Sequence, residues 1–203
     1  MKHRILNLVL KQFTWMWGLT GAGLGIGALL SPSVIFPISL ITIALLILVF
    51  FVRSSSFINI IIYILPVLVG ITLFWTTRFY IEQLGGALVF GIFIGTIIVF
   101  MLFGLIGMMI PDISAIGNYL IITLIVLIVF SILFIFLPVG NTALLVLAGV
   151  AILLFSLYTV YDFNQIQHGH VRKEDAALMA LNLYLDFINL FINILQFIWR
   201  IKE

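Results

Sequence analysis

At 203 residues, with 65% hydrophobic and 8% charged side chains and a mean hydropathy of +1.38, the chain falls far below the roughly 25% charge of an average soluble protein. That composition excludes a water-soluble globular domain, and the absence of cysteine excludes disulfides, thiolate metal centres and cysteine nucleophiles. A net charge of +2 is too small to build a nucleic-acid surface, so the expected surroundings are the lipid bilayer and no nucleic acid.

In chain order, seven apolar runs stand out: Phe13–Leu30, Val34–Val52, Phe57–Thr77, Gly85–Ile110, Ile116–Leu137, Thr142–Gln165 and Ala176–Trp199. Each can span as a helix, since about 20 residues cover a hydrocarbon core of about 30 Å. The connections are short and hold the helix breakers, Ser31-Pro32-Ser33, Pro111-Asp112 and Pro138-Val139-Gly140-Asn141. The expected fold class is an all-α integral membrane protein with seven transmembrane helices, forming a single domain over residues 1–203. The basic start resembles a signal peptide, but the first run is long, has no clear small-residue cleavage site and leads straight into further spans.

Loop charges set the orientation. Lys2, Arg4, Lys11, Arg53, Arg172 and Lys173 fall on one side of this topology, and Arg78, Arg200 and Lys202 on the other. Basic loops stay inside, so the N-terminus is expected in the cytoplasm and the C-terminus outside. The first and fourth runs are rich in glycine, and Gly21/Gly25, Gly23/Gly27 and Gly91/Gly95 have the spacing that lets helices approach closely in lipid. Their recurrence three helices apart hints at two three-helix halves plus a seventh helix.

Of seven acidic residues, Glu82, Asp112, Glu174, Asp175 and Glu203 read as loop or end residues. Asp162 and Asp186 remain inside the sixth and seventh runs, where a carboxylate facing lipid costs at least ~2.5 kcal/mol. On the seventh run Asn182, Asp186, Asn189, Asn193 and Gln196 recur at +4, +3, +4, +3, so a helix gathers them within roughly 80°. On the sixth, Tyr158, Asp162 and Gln165 share a face. The intervening turn makes an antiparallel hairpin in which both aspartates lie some 10 to 17 Å below the surface. Two carboxylates that touch in a low dielectric cannot both ionise cheaply, so the pair is expected to share a proton and act as a switch. The competing reading has each satisfied separately by Asn, Tyr or Arg, merely joining helices. Arg53, ending the second run, either snorkels as a topology anchor or pairs with Asp162.

These residues also resemble a known family. Phe155-Ser-Leu-Tyr158-Thr-Val-Tyr161-Asp162-Phe-Asn-Gln165-Ile, the His168-Gly-His170 turn, and Ala180-Leu-Asn-Leu-Tyr184-Leu-Asp186-Phe-Ile-Asn189-Leu-Phe-Ile-Asn193-Ile-Leu are similar to the last two helices of the Bax inhibitor-1 family, the transmembrane Bax inhibitor motif proteins, in particular its bacterial YetJ-like branch. The resemblance implies two three-helix layers around a central C-terminal helix, in a bacterial plasma membrane. It implies a pH-gated calcium leak channel that is no enzyme and needs no cofactor, with calcium ions and protons as partners. The proton-sharing dyad falls on Asp162 and Asp186, and an arginine latch on Arg53. The lining falls to the polar faces, Asn182, Asn189, Asn193, Gln196, Tyr158 and Gln165. Thr42 stands where the resemblance places a glutamate, and the basic cluster after the second helix is reduced to Arg53 before Ser54-Ser55-Ser56.

Calcium takes six to eight oxygens, and Asp162, Asp186, Asn182, Asn189 and water offer a loose, partial set that suits passage better than storage. His168 and His170, without a third ligand, read as polar turn residues. An intramembrane aspartyl protease also carries two helical aspartates, but Leu183-Tyr184-Leu185 precedes Asp186 where that family has Gly-x-Gly. A retinal protein needs a lysine within the seventh run, which has none. A proton-coupled transporter remains the main alternative to the channel. No motif names a protein partner.

Overall fold

The computed structural model describes residues 2–51 and 55–203 and folds them into seven α-helices: α1 (Lys2–Leu29), α2 (Ile35–Phe51), α3 (Ser55–Leu84), α4 (Gly86–Met109), α5 (Gly117–Phe136), α6 (Asn141–His168) and α7 (Ala176–Lys202). Single 3-10 turns at Pro32–Val34, Ser114–Ile116 and Lys173–Asp175 lead into α2, α5 and α7. The number and order of helices follow the apolar runs, but two boundaries move. α1 begins well before Phe13, because the Ile5 to Leu10 stretch continues the helix and Val9 is fully buried. α3 continues past Thr77, so Arg78 and Glu82 are helical and form an exposed i,i+4 pair at 3.1 Å. It stops at Gly85, whose φ of +87° suits a residue without Cβ.

Five helical stretches among the described residues are long and apolar enough to cross a membrane: Ile60–Leu84, Gly86–Met109, Ser114–Phe136, Asn141–His168 and Lys173–Lys202. The protein is therefore an all-helical integral membrane protein. α1 has the length, but Gln12, Thr14, Trp15, Trp17, Thr20 and its glycines dilute its apolar character, and α2, apolar throughout, has 17 residues. The expectation of seven spans thus stands on composition for five.

The described chain divides into two compact units. The first comprises His3–Glu82 with Val171–Leu181. In it, Gly23 of α1 and Gly70 of α3 bring two backbones together: a Cβ on Gly23 would collide with the Val67 carbonyl oxygen and come within 2.9 Å of the Gly70 Cα. Trp75 Nε1 then donates to the Gly27 carbonyl at 3.0 Å. Of the two spaced pairs in α1, Gly23/Gly27 makes this contact, whereas Gly21 and Gly25 face open space.

The second unit comprises Gln83–His170 with Asn182–Glu203, and here α6 packs against α4 and α5. The buried stripe of α4 runs Val89, Ile92, Thr96, Phe100, Gly104, Gly107, and a Cβ on Gly107 would collide with the Val160 carbonyl oxygen of α6. The expected Gly91/Gly95 pair lies off that stripe and touches nothing. Leu120 and Leu127 of α5, Ala151, Leu154 and Phe155 of α6, and Leu190 of α7 form its apolar core. Burial follows function of place: 56% of the α7 span is covered, against 6% of the α5 span.

Candidate functional site

Both intramembrane aspartates belong to the second unit. α6 and α7 are joined at one end by the tight turn after His168. Gly169 adopts φ +81°, its N–H donates to the Ile166 carbonyl at 3.3 Å, and the His170 N–H donates to the Gln165 carbonyl at 3.0 Å, a double bond pattern that ends a helix on a left-handed glycine. At the other end Asn141 Nδ2 donates to the Arg200 carbonyl at 2.9 Å and Arg200 Nη1 returns a bond to Asn141 Oδ1 at 3.2 Å. Within this unit the polar faces of α6 and α7 come near enough for Asp162 to act electrostatically on Asp186.

Asp162 is 3% exposed and Asp186 is 5% exposed. Asp186 lies within electrostatic reach of Asp162, and the half-buried Tyr158 phenol within reach of both. One oxygen of each carboxylate, Oδ2, is buried without a hydrogen-bond partner, and so is Nε2 of Gln165, which is buried one turn along from Asp162. Buried polar groups are normally bonded; of the four orphans on this hairpin one, Arg200 Nε, lies at the far end of α7, and the other three, at Asp162, Gln165 and Asp186, mark a place built for something other than cohesion. The rest of the α7 stripe is half-buried. Asn189 Nδ2 donates to the Leu185 carbonyl at 2.9 Å and Asn193 Nδ2 to the Asn189 carbonyl at 2.7 Å, which leaves each Oδ1 as the remaining acceptor. Asn182 and Gln196 occupy the same stripe, also half-buried.

An aromatic shell borders the carboxylates. Phe163 and Phe187 each follow an aspartate in sequence, and Phe100 packs edge-on against both, at 5.9 and 5.3 Å between ring centres. Phe93 meets Phe187 and Phe191 at 6.0 and 5.5 Å. These rings make one apolar contact shared by α4, α6 and α7.

Sequence reasoning passed over Asn164, fully buried two residues from Asp162. Its Nδ2 donates to the carbonyls of Gly107 and Pro111 at 3.0 Å and of Ile110 at 3.3 Å, and its Oδ1 accepts from the Ile113 N–H at 3.0 Å. One side chain thus caps the C-terminus of α4 and holds the α4–α5 connection. The signal was the Pro111-Asp112 breaker, which leaves carbonyls needing a donor. The two turn histidines also have definite partners: His168 Nδ1 donates to the Asn164 carbonyl at 3.0 Å, and His170 Nε2 lies 2.7 Å from Asp112 Oδ2. The Ser114 N–H, and after it His170, hold the Asp112 carboxyl down at about 2.

Other expected residues fall elsewhere. Arg53 lies outside the described residues. Thr42 is buried and closes onto its own helix, donating to the Ile38 carbonyl at 2.8 Å. Among the described residues no group of three or more His, Cys, Asp or Glu gathers as for a metal, so an ion at the aspartates would need amide oxygens and water as well.

A helical membrane protein with paired acidic groups on its last hairpin is the class this geometry defines. The family model described as "Inhibitor of apoptosis-promoting Bax1" matches residues 3–202, and the chain belongs to that Bax inhibitor family. It is 43% identical over 88 residues to an uncharacterized protein of Helicobacter pylori, a stretch covering 43% of this chain and 36% of that one. Protein LIFEGUARD 1 of Arabidopsis thaliana is 33% identical over 87 residues, 43% of this chain and 37% of the relative. Bax inhibitor 1 of Schizosaccharomyces pombe is 36% identical over 92 residues, 45% and 34%. The matched stretches thus span little more than a third of the length of these relatives.

Proposed function

We propose that the protein is a pH-sensitive calcium leak channel, gated by a proton shared between Asp162 and Asp186, and not an enzyme. The observation that carries this reading is the pair of buried carboxylates, each with an unpartnered oxygen, within electrostatic reach of one another on one hairpin. In a dry seam both charges together are costly, so one proton serves the two. A divalent cation replaces that proton favourably, because it offsets both charges at once. The acceptors on the α7 stripe, Asn182, Asn189, Asn193 and Gln196, then supply the weak, serial oxygen sites that conduction needs. Tyr158 and Gln165 line the α6 side.

Arg53 is the proposed latch, a cation that favours the closed state while the carboxylates are ionised and lets go when acid protonates them. Acid then opens the pore. The test is calcium-dye flux in liposomes across a pH series. Asp162→Asn and Asp186→Asn should each remove most of the pH dependence while the protein stays folded, since Asn keeps volume and hydrogen-bonding capacity. Arg53→Ala should leak at neutral pH about as fast as the wild type does in acid. An unchanged pH response in both aspartate variants sinks the dyad.

The proposed orientation, in a bacterial plasma membrane, places the His168 turn in the cytoplasm and the C-terminus outside. Cysteines introduced at Gly169 and Glu203 of this cysteine-free chain should then label from opposite faces, and labelling from one face overturns that topology.

A further inference from the structure

Far along the chain from the aspartates, the first unit holds a groove of about 670 Å³ between α1 and α3, lined among others by Lys11, Gln12, Trp15, Met16, Ile62 and Tyr63. We propose that this groove binds one anionic phospholipid whose headgroup carries hydroxyl donors, such as phosphatidylglycerol.

Three features select this ligand. The first is depth. Lys11 and Gln12 stand just before the apolar run of α1 that begins at Phe13, and Ile62 and Tyr63 lie in the N-terminal third of α3, so the groove sits toward one boundary of the apolar layer. Trp15 and Tyr63, respectively 58% and 52% exposed, are the residue types that settle at that boundary with ring in the apolar layer and polar atom outward. Lys11 stands one helical turn before Trp15 on α1, exposed, and reaches outward from there.

The second is charge. α1 contains no acidic residue, and no ion pair engages Lys11 among the described residues. A lone ammonium at headgroup level, on a helix whose other charges are also basic, selects a phosphate with net negative charge.

The third is hydrogen bonding. Gln12 Oε1 is buried without a donor, and Gln12 lines the groove. An unpartnered acceptor beside a cation calls for a ligand that brings both an anion and a hydroxyl group. The apolar remainder of the lining, Leu8, Met16 and Ile62, suits the upper part of an acyl chain, and the volume lies within the roughly 300–1,000 Å³ of ordinary ligand sites.

The full-length protein in detergent, titrated with dioleoyl-phosphatidylglycerol or dioleoyl-phosphatidylcholine and read by native mass spectrometry, tests this. Phosphatidylglycerol should be retained at least about fivefold more tightly, the worth of one lysine near a headgroup. Lys11→Gln should abolish that preference, and Gln12→Leu should weaken retention of phosphatidylglycerol with little effect on phosphatidylcholine. Lys202→Gln, a cation at the far end of α7, should change nothing. Equal retention of the two lipids, or an equal loss from Lys202→Gln, overturns the proposal. If glycerol 3-phosphate competes as well as intact lipid, the site takes a free phosphate and the lipid assignment is wrong. Lys11 is exposed, so its variant decides the matter even if Gln12→Leu fails to fold.

Discussion

Asn164 and Asp162 are two residues apart on α6 and almost equally buried, yet one has every visible bonding group engaged and the other keeps an orphan oxygen. Asn164 faces the α4–α5 connection, where broken helix ends present carbonyls at fixed positions, and a neutral amide satisfies them with no desolvated charge. Asp162 faces the seam toward α7, where its neighbour is a second carboxylate and no donor closes the account. The difference separates a polar residue that holds the fold from one held by it. Burial alone does not distinguish them; the completeness of bonding does.

The sharpest way to break that comparison is to remove each side chain in turn. Asn164→Leu strands the Ile113 N–H and weakens the end of α4, and at roughly 1–3 kcal/mol per unsatisfied buried group it should cost about 3 kcal/mol. Thermal unfolding in detergent should then show a midpoint lowered by about 6–12 °C, with the pH profile of calcium flux kept in whatever protein remains folded. A smaller fall than that from Asp162→Asn reverses the assignment of roles.

Next comes the packing that delivers Asn164 to its partners. Gly107→Ala drives a Cβ into the Val160 carbonyl and should cost about 2 kcal/mol or more, whereas Gly91→Ala meets nothing and should be neutral or gain up to about 1 kcal/mol from helix propensity. Equal effects at the two positions, measured by the same melts, contradict the α4–α6 contact.

Asp162→Asn and Asp186→Asn should shift the midpoint by less than about 4 °C, equivalent to about 1 kcal/mol, since neither carboxylate repays its burial with bonds. Their large effect is confined to flux. The smallest effect belongs to Asp112. Its carboxyl is held at about 2, below the roughly 3.9 of an unfolded aspartate. The stabilisation is therefore complete above pH 4 and lost as pH falls through about 2. Asp112→Asn should flatten only that acid limb of the melting curve and leave flux between pH 5 and 8 untouched; a changed flux profile there makes the Asp112–His170 tie part of the gate.

Hydropathy made the helices legible, because a backbone in lipid must bond to itself and a long apolar run has no other option. The stripe on α7 was legible for the same reason, since five polar side chains at helical spacing have to turn away from lipid. What misled was local ambiguity. Thr77 to Leu84 reads as a loop by polarity, but Arg78 and Glu82 support each other at i,i+4 and the helix ends only where Gly85 permits a left-handed turn. Among glycines, spacing marked Gly91/Gly95 and passed over Gly104 and Gly107, because a helix face is chosen by its neighbour.

A helical membrane protein, seven helices in order, a polar final helix and two aspartates that lipid cannot accept can all be read along the chain. Each of these follows from local periodicity and the cost of polar groups in hydrocarbon. That Asn164 is a cap, that His170 meets Asp112 and that Gln12 lines a groove with an unpartnered oxygen came from the packed helices alone. Those depend on which distant backbone atom lies within about 3 Å, the reach of a hydrogen bond, and no spacing along the chain encodes that.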